Sequence, residues 1–288
     1  MTAGALALVL LGAAFHALWN VVAKRSAGGG VVFVWQFGLV SIVAAAPWAA
    51  WSWWSHPLAL TAAMWFAVTG SAVIHVLYSL VLQRAYQSAP FSVVYPVARG
   101  SGPLFSVAVA LALWSERPSG IGWAGVAAVL VGVVVSARGS ERPGIAGGQR
   151  RGVLWGLLTG LLIAGYTLLD AWAVKTLGMS PIVFFSLGLL LRTALLTPLA
   201  LRRRAELVPQ WRARRDAVVA VGVLSPLAYT LVLLAMRIAP LSYVAPVREV
   251  SMLLGMLLGA RALDEAVKPV QVAAAAVMVA GVVALALA

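Results

Sequence analysis

The sequence contains no cysteine, which excludes disulfides and thiolate metal sites. It is also poor in acid, with eight Asp and Glu against 21 Lys and Arg. Charged residues of both signs make up only 10% of the chain, whereas a soluble domain carries about a quarter. HExxH is absent, and no nucleophile–base pair is recognisable. No strand leads into a glycine-rich turn. These absences leave a zinc hydrolase, a membrane-embedded covalent enzyme and an ATP-driven pump without support. No metal or cofactor is expected. What fills the chain instead is apolar: 62% of it is hydrophobic, too much for a core surrounded by water.

Backbone polar groups in lipid must be paired within the spanning structure, so helices or closed barrels are the options. A barrel would show alternating strands of about 10 residues. Here the apolar runs are long and rich in Ala, Leu, Val and Gly, which selects helices of about 20 residues. Ten spans are expected, near 3–23, 31–50, 60–82, 89–113, 119–137, 152–174, 180–200, 217–236, 239–259 and 267–287. The longest polar loops are Arg138–Arg151 and Arg202–Asp216. The first apolar run lacks the positive leader of a signal peptide, so it reads as a retained helix. The cluster Trp48, Trp51, Trp53 and Trp54 reads as an interfacial belt.

The net charge of +13 does not point to nucleic acid. Ten of the 21 basic residues lie in the two longest loops, with few aromatic residues among them. That distribution suits the positive-inside rule and contact with anionic headgroups. With Lys268, at the edge of the tenth span, counted with the loop before it, 15 basic residues follow odd-numbered helices and three follow even-numbered ones. The first set is expected to be cytoplasmic, with both termini outside. A reporter active only in the cytoplasm, fused at Ala288, would be silent under this topology and active under the opposite one.

The chain repeats itself. Ala89-Pro-Phe-Ser-Val-Val-Tyr-Pro-Val-Ala98 aligns with Ala239-Pro-Leu-Ser-Tyr-Val-Ala-Pro-Val-Arg248 at an offset of 150, with six of ten positions identical. Ser101 pairs with Ser251, Glu116 with Glu265, and Gly132-Val-Val134 with Gly281-Val-Val283. Upstream, His16 pairs with Tyr166 and Asn20 with Asp170. Five helices per copy is an odd number, so the second copy enters from the opposite face. The expected fold is therefore all-α and membrane-integral: ten transmembrane helices as two five-helix inverted-topology repeats. Residues 1–137 form the first repeat, 138–151 a basic linker and 152–288 the second repeat. Such repeats recur in secondary transporters, with substrate held near the midplane between the halves.

At these residues the sequence resembles the drug/metabolite transporter superfamily, in particular its members with paired EamA domains. The resemblance covers nearly the whole chain. Each half has an Ala-Pro-x-Ser segment opening its fourth helix, an acidic residue before its fifth and a Gly-Val-Val ending. The segments His16-Ala-Leu-Trp-Asn20 and Arg248-Glu249-Val-Ser251 are similar to one EamA subgroup. The resemblance implies a secondary active transporter in the inner membrane of a bacterial-type cell, often an exporter of amino acids or other small metabolites. It also implies a cavity between the halves, lined by the first, third and fourth helices of each. Family habit places both termini in the cytoplasm, opposite to the loop charges.

Ionisable groups within spans are costly and therefore candidates for function. His16, Trp19, Asn20 and Lys24 share one face of the first helix. His16 titrates near neutral pH when unperturbed, and the bland alternative is a core histidine. Lys24 reads as a snorkelling helix end. Tyr166 and Asp170 lie one turn apart on the sixth helix. Asp170 is the best proton-carrier candidate, since burial brings a carboxyl closer to working pH; a structural hydrogen bond or an ion pair would be the plainer role. Tyr95 and Arg99 on the fourth helix, and Arg248 and Glu249 on the ninth, are candidates for substrate charges, or else pair among themselves. Tyr78 and His75 on the third helix and Tyr229 on the eighth are aromatic pocket candidates. Arg192 has no partner recognisable from sequence. Gly132, Gly156 and Gly160 read as close helix packing.

The expected partners are membrane lipids, a small-molecule substrate and protons, in a monomer or homodimer, with no nucleic acid. The expected function is export of small polar or zwitterionic metabolites such as amino acids, with proton coupling. The alternatives are efflux of lipophilic cations and a non-transport membrane protein.

Overall fold

The structure is a computed structural model, which describes residues 1–25, 30–88, 91–138, 148–251, 253–254, 258 and 269–288. The helices are α1 (Ala3–Arg25), α2 (Gly30–Ser55), α3 (Ala62–Ser88), α4 (Phe91–Leu113), α5 (Gly120–Arg138) and α6 (Gly148–Ala171). They continue as α7 (Pro181–Leu201), α8 (Arg204–Ile238), α9 (Leu241–Arg248) and α10 (Pro269–Leu287). No strand occurs among the described residues. Six helices are long and apolar enough to cross a membrane, and three shorter apolar segments lie in α4, α5 and α10. Helices occupy the positions of the expected spans where those are described, and six of them are of membrane-crossing length. The end of the ninth span, the start of the tenth, most of the basic linker and Glu265 lie outside the described residues.

One expectation is corrected. The polar stretch 202–216 is helical from Arg204, not an open loop, and the chain breaks from helical geometry only at Arg214 (φ −138°, ψ 15°). Its Ala, Glu, Leu, Gln and Arg residues are good helix formers, and Glu206 lies in the first turn, where the helix dipole favours a negative charge. Val208 and Trp211 are exposed beside Arg204 and Arg212. This is the composition of a helix lying at a membrane surface. The Gln36 side chain on α2 anchors it by donating to the Leu207 carbonyl at 2.7 Å.

Helices approach closely where side chains are absent. A Cβ at Gly125 on α5 would come within 2.9 Å of the Gly281 carbonyl on α10, and one at Gly281 within 2.8 Å of the Gly125 carbonyl. On α6, a Cβ at Gly156 would lie 3.0 Å from the Val94 carbonyl of α4, and one at Gly160 3.0 Å from the Gly102 nitrogen. These small residues let helices gain dispersion contacts in lipid, where no hydrophobic effect draws them together. The close-packing roles read for Gly132, Gly156 and Gly160 are those the structure shows.

The pairing pattern has an order. α1 packs on α8 and α6 on α3; α2 packs on both α7 and α8, and α7 on α3; α5 packs on α10. Relabelling helices one to five as six to ten, and the reverse, returns each of these pairs, whereas α7 also packs on α8 without a matching α2–α3 pairing of that extent. The main core runs through this bundle and includes Val68, Val107, Val129, Val174, Leu233, Val244 and Met278.

Candidate functional site

The polar centre of the bundle is Asp170, fully buried near the end of α6. The helix changes form directly after it: residues Trp172–Thr176 make a π-helical turn, closed by Leu177 donating to the Trp172 carbonyl at 3.0 Å. Such turns often mark functional positions in helices. Gly178, at φ +70°, then supplies the left-handed conformation that ends the helix without a Cβ penalty.

Two other helices bind the Asp170 carboxyl. Ser71 on α3 donates its hydroxyl to Oδ1 at 2.5 Å, and Tyr229 on α8 donates its phenol to Oδ2. A buried carboxyl without such partners would carry a large desolvation cost. Around this pair stands an aromatic shell. His75 stacks on Tyr166 with centroids 3.9 Å apart, and Tyr229 meets the His75 ring edge-on at 5.9 Å. Tyr78 packs edge-on against Tyr166 at 5.9 Å, and Phe185 of α7 lies 5.4 Å from Tyr229.

Two arginines complete the site. The Arg192 guanidinium lies over the Phe185 ring at 5.3 Å, an arrangement that favours a cation, and its Nε donates to the Gly188 carbonyl at 3.3 Å. The charges of Arg192 and Arg248 both reach Asp170 through space. Arg248 and Glu249 are buried, with Nε and Oε1 3.7 Å apart. The cluster therefore holds both signs of charge, together with aromatic faces.

The residues singled out from sequence divide into three sets. Tyr78, Tyr166, Asp170 and Tyr229 come together, and Arg248 and Glu249 pair beside them. His16, Trp19 and Asn20 lie together on α1. There the Asn20 amide donates to the His16 carbonyl at 2.7 Å, and Trp19 meets His16 edge-on at 4.9 Å. Trp19 also packs against Phe33, Val218 and Val221. The side chains of Tyr95 and Arg99 lie outside the described ones. Sequence reasoning missed Ser71 and Phe185 and left Arg192 without a role. The signal for Ser71 was its spacing, since Ser71, His75 and Tyr78 fall at i, i+4 and i+7, one face of a helix.

A second polar cluster ties distant segments at one end of the bundle. Glu116, after α4, forms an ion pair with Lys175 of the π turn at 2.9 Å. Its two oxygens also accept the Leu241 and Ser242 backbone N–H groups of α9, each at 2.9 Å. Those N–H groups open α9 and have no partner within the helix. Burial pushes the Glu116 carboxyl up, but hydrogen bonds from Ser242, Lys175 and Leu241 outweigh it and hold the group below its ordinary value.

A bundle of membrane-length apolar helices around a buried polar centre defines a multi-pass membrane protein. Residues 150–287 match the EamA-like transporter family. The second half of the chain therefore carries the signature of that family, which supports a membrane transporter of the drug/metabolite type, as the sequence resemblance implied. Its fold is that of a solved protein: one crystal structure aligns over 100% of this chain and 98% of its own, with a TM-score of 0.79 and 16% identity. No curated protein matches by sequence.

Proposed function

We propose that this transporter is a secondary active exporter of small zwitterionic metabolites such as amino acids, and that it couples export to protons carried by Asp170. One observation carries the reading: a fully buried carboxyl is held by hydroxyls from two other helices, with aromatic faces and two arginines beside it. A carboxyl in that setting can change protonation without a permanent ion-pair partner holding it charged. The site's mixed charge fits a zwitterion, whose carboxylate suits an arginine and whose ammonium suits an acid or an aromatic face. Arg192 and Arg248 disfavour a purely cationic cargo.

The exchange pattern of the helix pairs supports two inverted repeats of five helices, over 1–137 and 152–288, joined by the basic linker. In that architecture, substrate is bound where the halves meet and reaches each side in turn. The loop charges support cytoplasmic loops after the odd-numbered helices, in a bacterial-type inner membrane.

Proteoliposomes with an imposed pH gradient test the reading, using a panel of neutral amino acids. Gradient-driven accumulation of at least one, collapsed by a protonophore, is expected. Accumulation that ignores the gradient, or no flux across the panel, would overturn it.

A further inference from the structure

The Asp170 carboxyl is sealed inside the bundle, so a proton that neutralises it must pass through one of its hydrogen-bond partners. Tyr229 is one. A phenol loses its proton only near pH 10 when unperturbed, which makes it a poor conduit for a proton that must leave and return at every turnover. Ser71 is the other, and it does not stand alone. Its Oγ lies 3.3 Å from His75 Nδ1 while it donates to Asp170. His75 Nδ1 is also 2.9 Å from the Ser71 carbonyl, an acceptor only, which fixes the hydrogen on Nδ1 of the neutral ring. The chain of donors thus runs in one direction, from His75 Nδ1 to Ser71 Oγ to Asp170 Oδ1. His75 is half-buried where Asp170 is fully buried, so the imidazole is the outer end of the line.

We propose that His75 and Ser71 form the proton relay that loads Asp170. The inference rests on Asp170 being the proton carrier. His75 takes a proton from water at Nε2 and becomes an imidazolium. Its Nδ1–H bond then breaks as a new Ser71 Oγ–H bond forms, while the original Oγ–H bond breaks and an Asp170 Oδ1–H bond forms. The products are a neutral imidazole with hydrogen on Nε2, an intact serine hydroxyl and a neutral carboxylic acid. One proton moves and no electrons are exchanged. Imidazole suits this entry role because each of its two ring nitrogens can hold a proton, so one can be taken up at Nε2 as another leaves from Nδ1. The titratable and charged groups that act on His75 are Asp170 and Tyr166 on α6, Arg192 on α7, Tyr229 on α8 and Arg248 on α9. Each stays in place in the variants below.

The test compares proton-driven uptake with substrate counterflow in proteoliposomes, for Ser71→Ala, Ser71→Thr and His75→Gln. Counterflow needs a folded, substrate-binding protein but no net proton movement. Loss of a positioned proton-transfer group is expected to slow gradient-driven uptake by about tenfold or more in Ser71→Ala and His75→Gln, and to slow counterflow several-fold less. Ser71→Thr, which restores the hydroxyl, is expected to recover the rate. The slowed variants should also lose the dependence of rate on external pH that the unaltered protein shows. Wild-type gradient-driven rates in Ser71→Ala, or equal loss of counterflow and uptake in both variants, would overturn the relay. If Asp170→Asn still couples normally, the carrier assignment itself fails, a result separable from failure of the relay.

Discussion

Two faces of this protein occupy equivalent places in the repeat and have become different objects. His16 and Asn20 on α1 correspond to Tyr166 and Asp170 on α6. On α1 the Asn20 amide serves its own helix, turning back to the His16 carbonyl, and Asn20 is half-buried. On α6 the acid is fully buried and reached by side chains from α3 and α8. The amide can satisfy itself locally, whereas the carboxylate has only acceptors and must recruit donors from elsewhere. An acid at this position therefore creates a three-helix junction that an amide at its counterpart does not.

The comparison breaks most visibly if Asp170 is removed. Asp170→Leu leaves the Ser71 and Tyr229 hydroxyls buried without their acceptor, at about 1–3 kcal/mol each. Asn20→Leu is expected to cost less than about 1 kcal/mol, because it strands no partner on another helix. Detergent unfolding should show this ranking; equal losses would mean that the two faces are alike in energetics. Tyr229→Phe keeps the ring and removes one donor, so a smaller loss of about 1–2 kcal/mol is expected. Its gradient-driven uptake should fall less than that of Ser71→Ala, and the reverse order would place the phenol on the proton route.

A further small effect is expected at the end of the bundle. Glu116→Gln removes the charge that pairs with Lys175 and caps α9, a change worth about 1 kcal/mol. Labelling of a Ser242→Cys variant by an impermeant thiol reagent reads the result, on a protein with no native cysteine. Labelling should rise when Gln replaces Glu116. The sign with pH follows from the lowered titration of Glu116. Its contribution is complete above the ordinary value of 4.5 and is lost as pH falls through the lower folded value. Protection that grows as the pH drops would contradict this.

The spans were legible because length and apolarity alone dictate a membrane helix. Asp170 was legible because a charge inside such a span is rare, and Tyr166 because it lies one turn away. Ser71 was not, since a helical serine ordinarily bonds to its own backbone, as Ser79 does to the His75 carbonyl; only the fold brings Asp170 to it. Arg192 stood out as a charge within a span, but its aromatic seat is made by Phe185, and its field reaches a carboxyl on another helix. The role of Glu116 was hidden in the same way. Its repeat partner was visible, but the N–H groups it caps lie 125 and 126 residues away. The helix over 204–213 was obscured by polarity, which in this chain marks a membrane surface as readily as a loop.

The central claim is that the α6 acid carries the coupling proton and its α1 counterpart does not. The direct measurement is paired gradient-driven uptake and counterflow in proteoliposomes containing Asp170→Asn or Asn20→Ala. The account predicts that Asp170→Asn exchanges substrate but no longer accumulates it, while Asn20→Ala does both. Accumulation by Asp170→Asn at the wild-type level, with its counterflow unchanged, would contradict it.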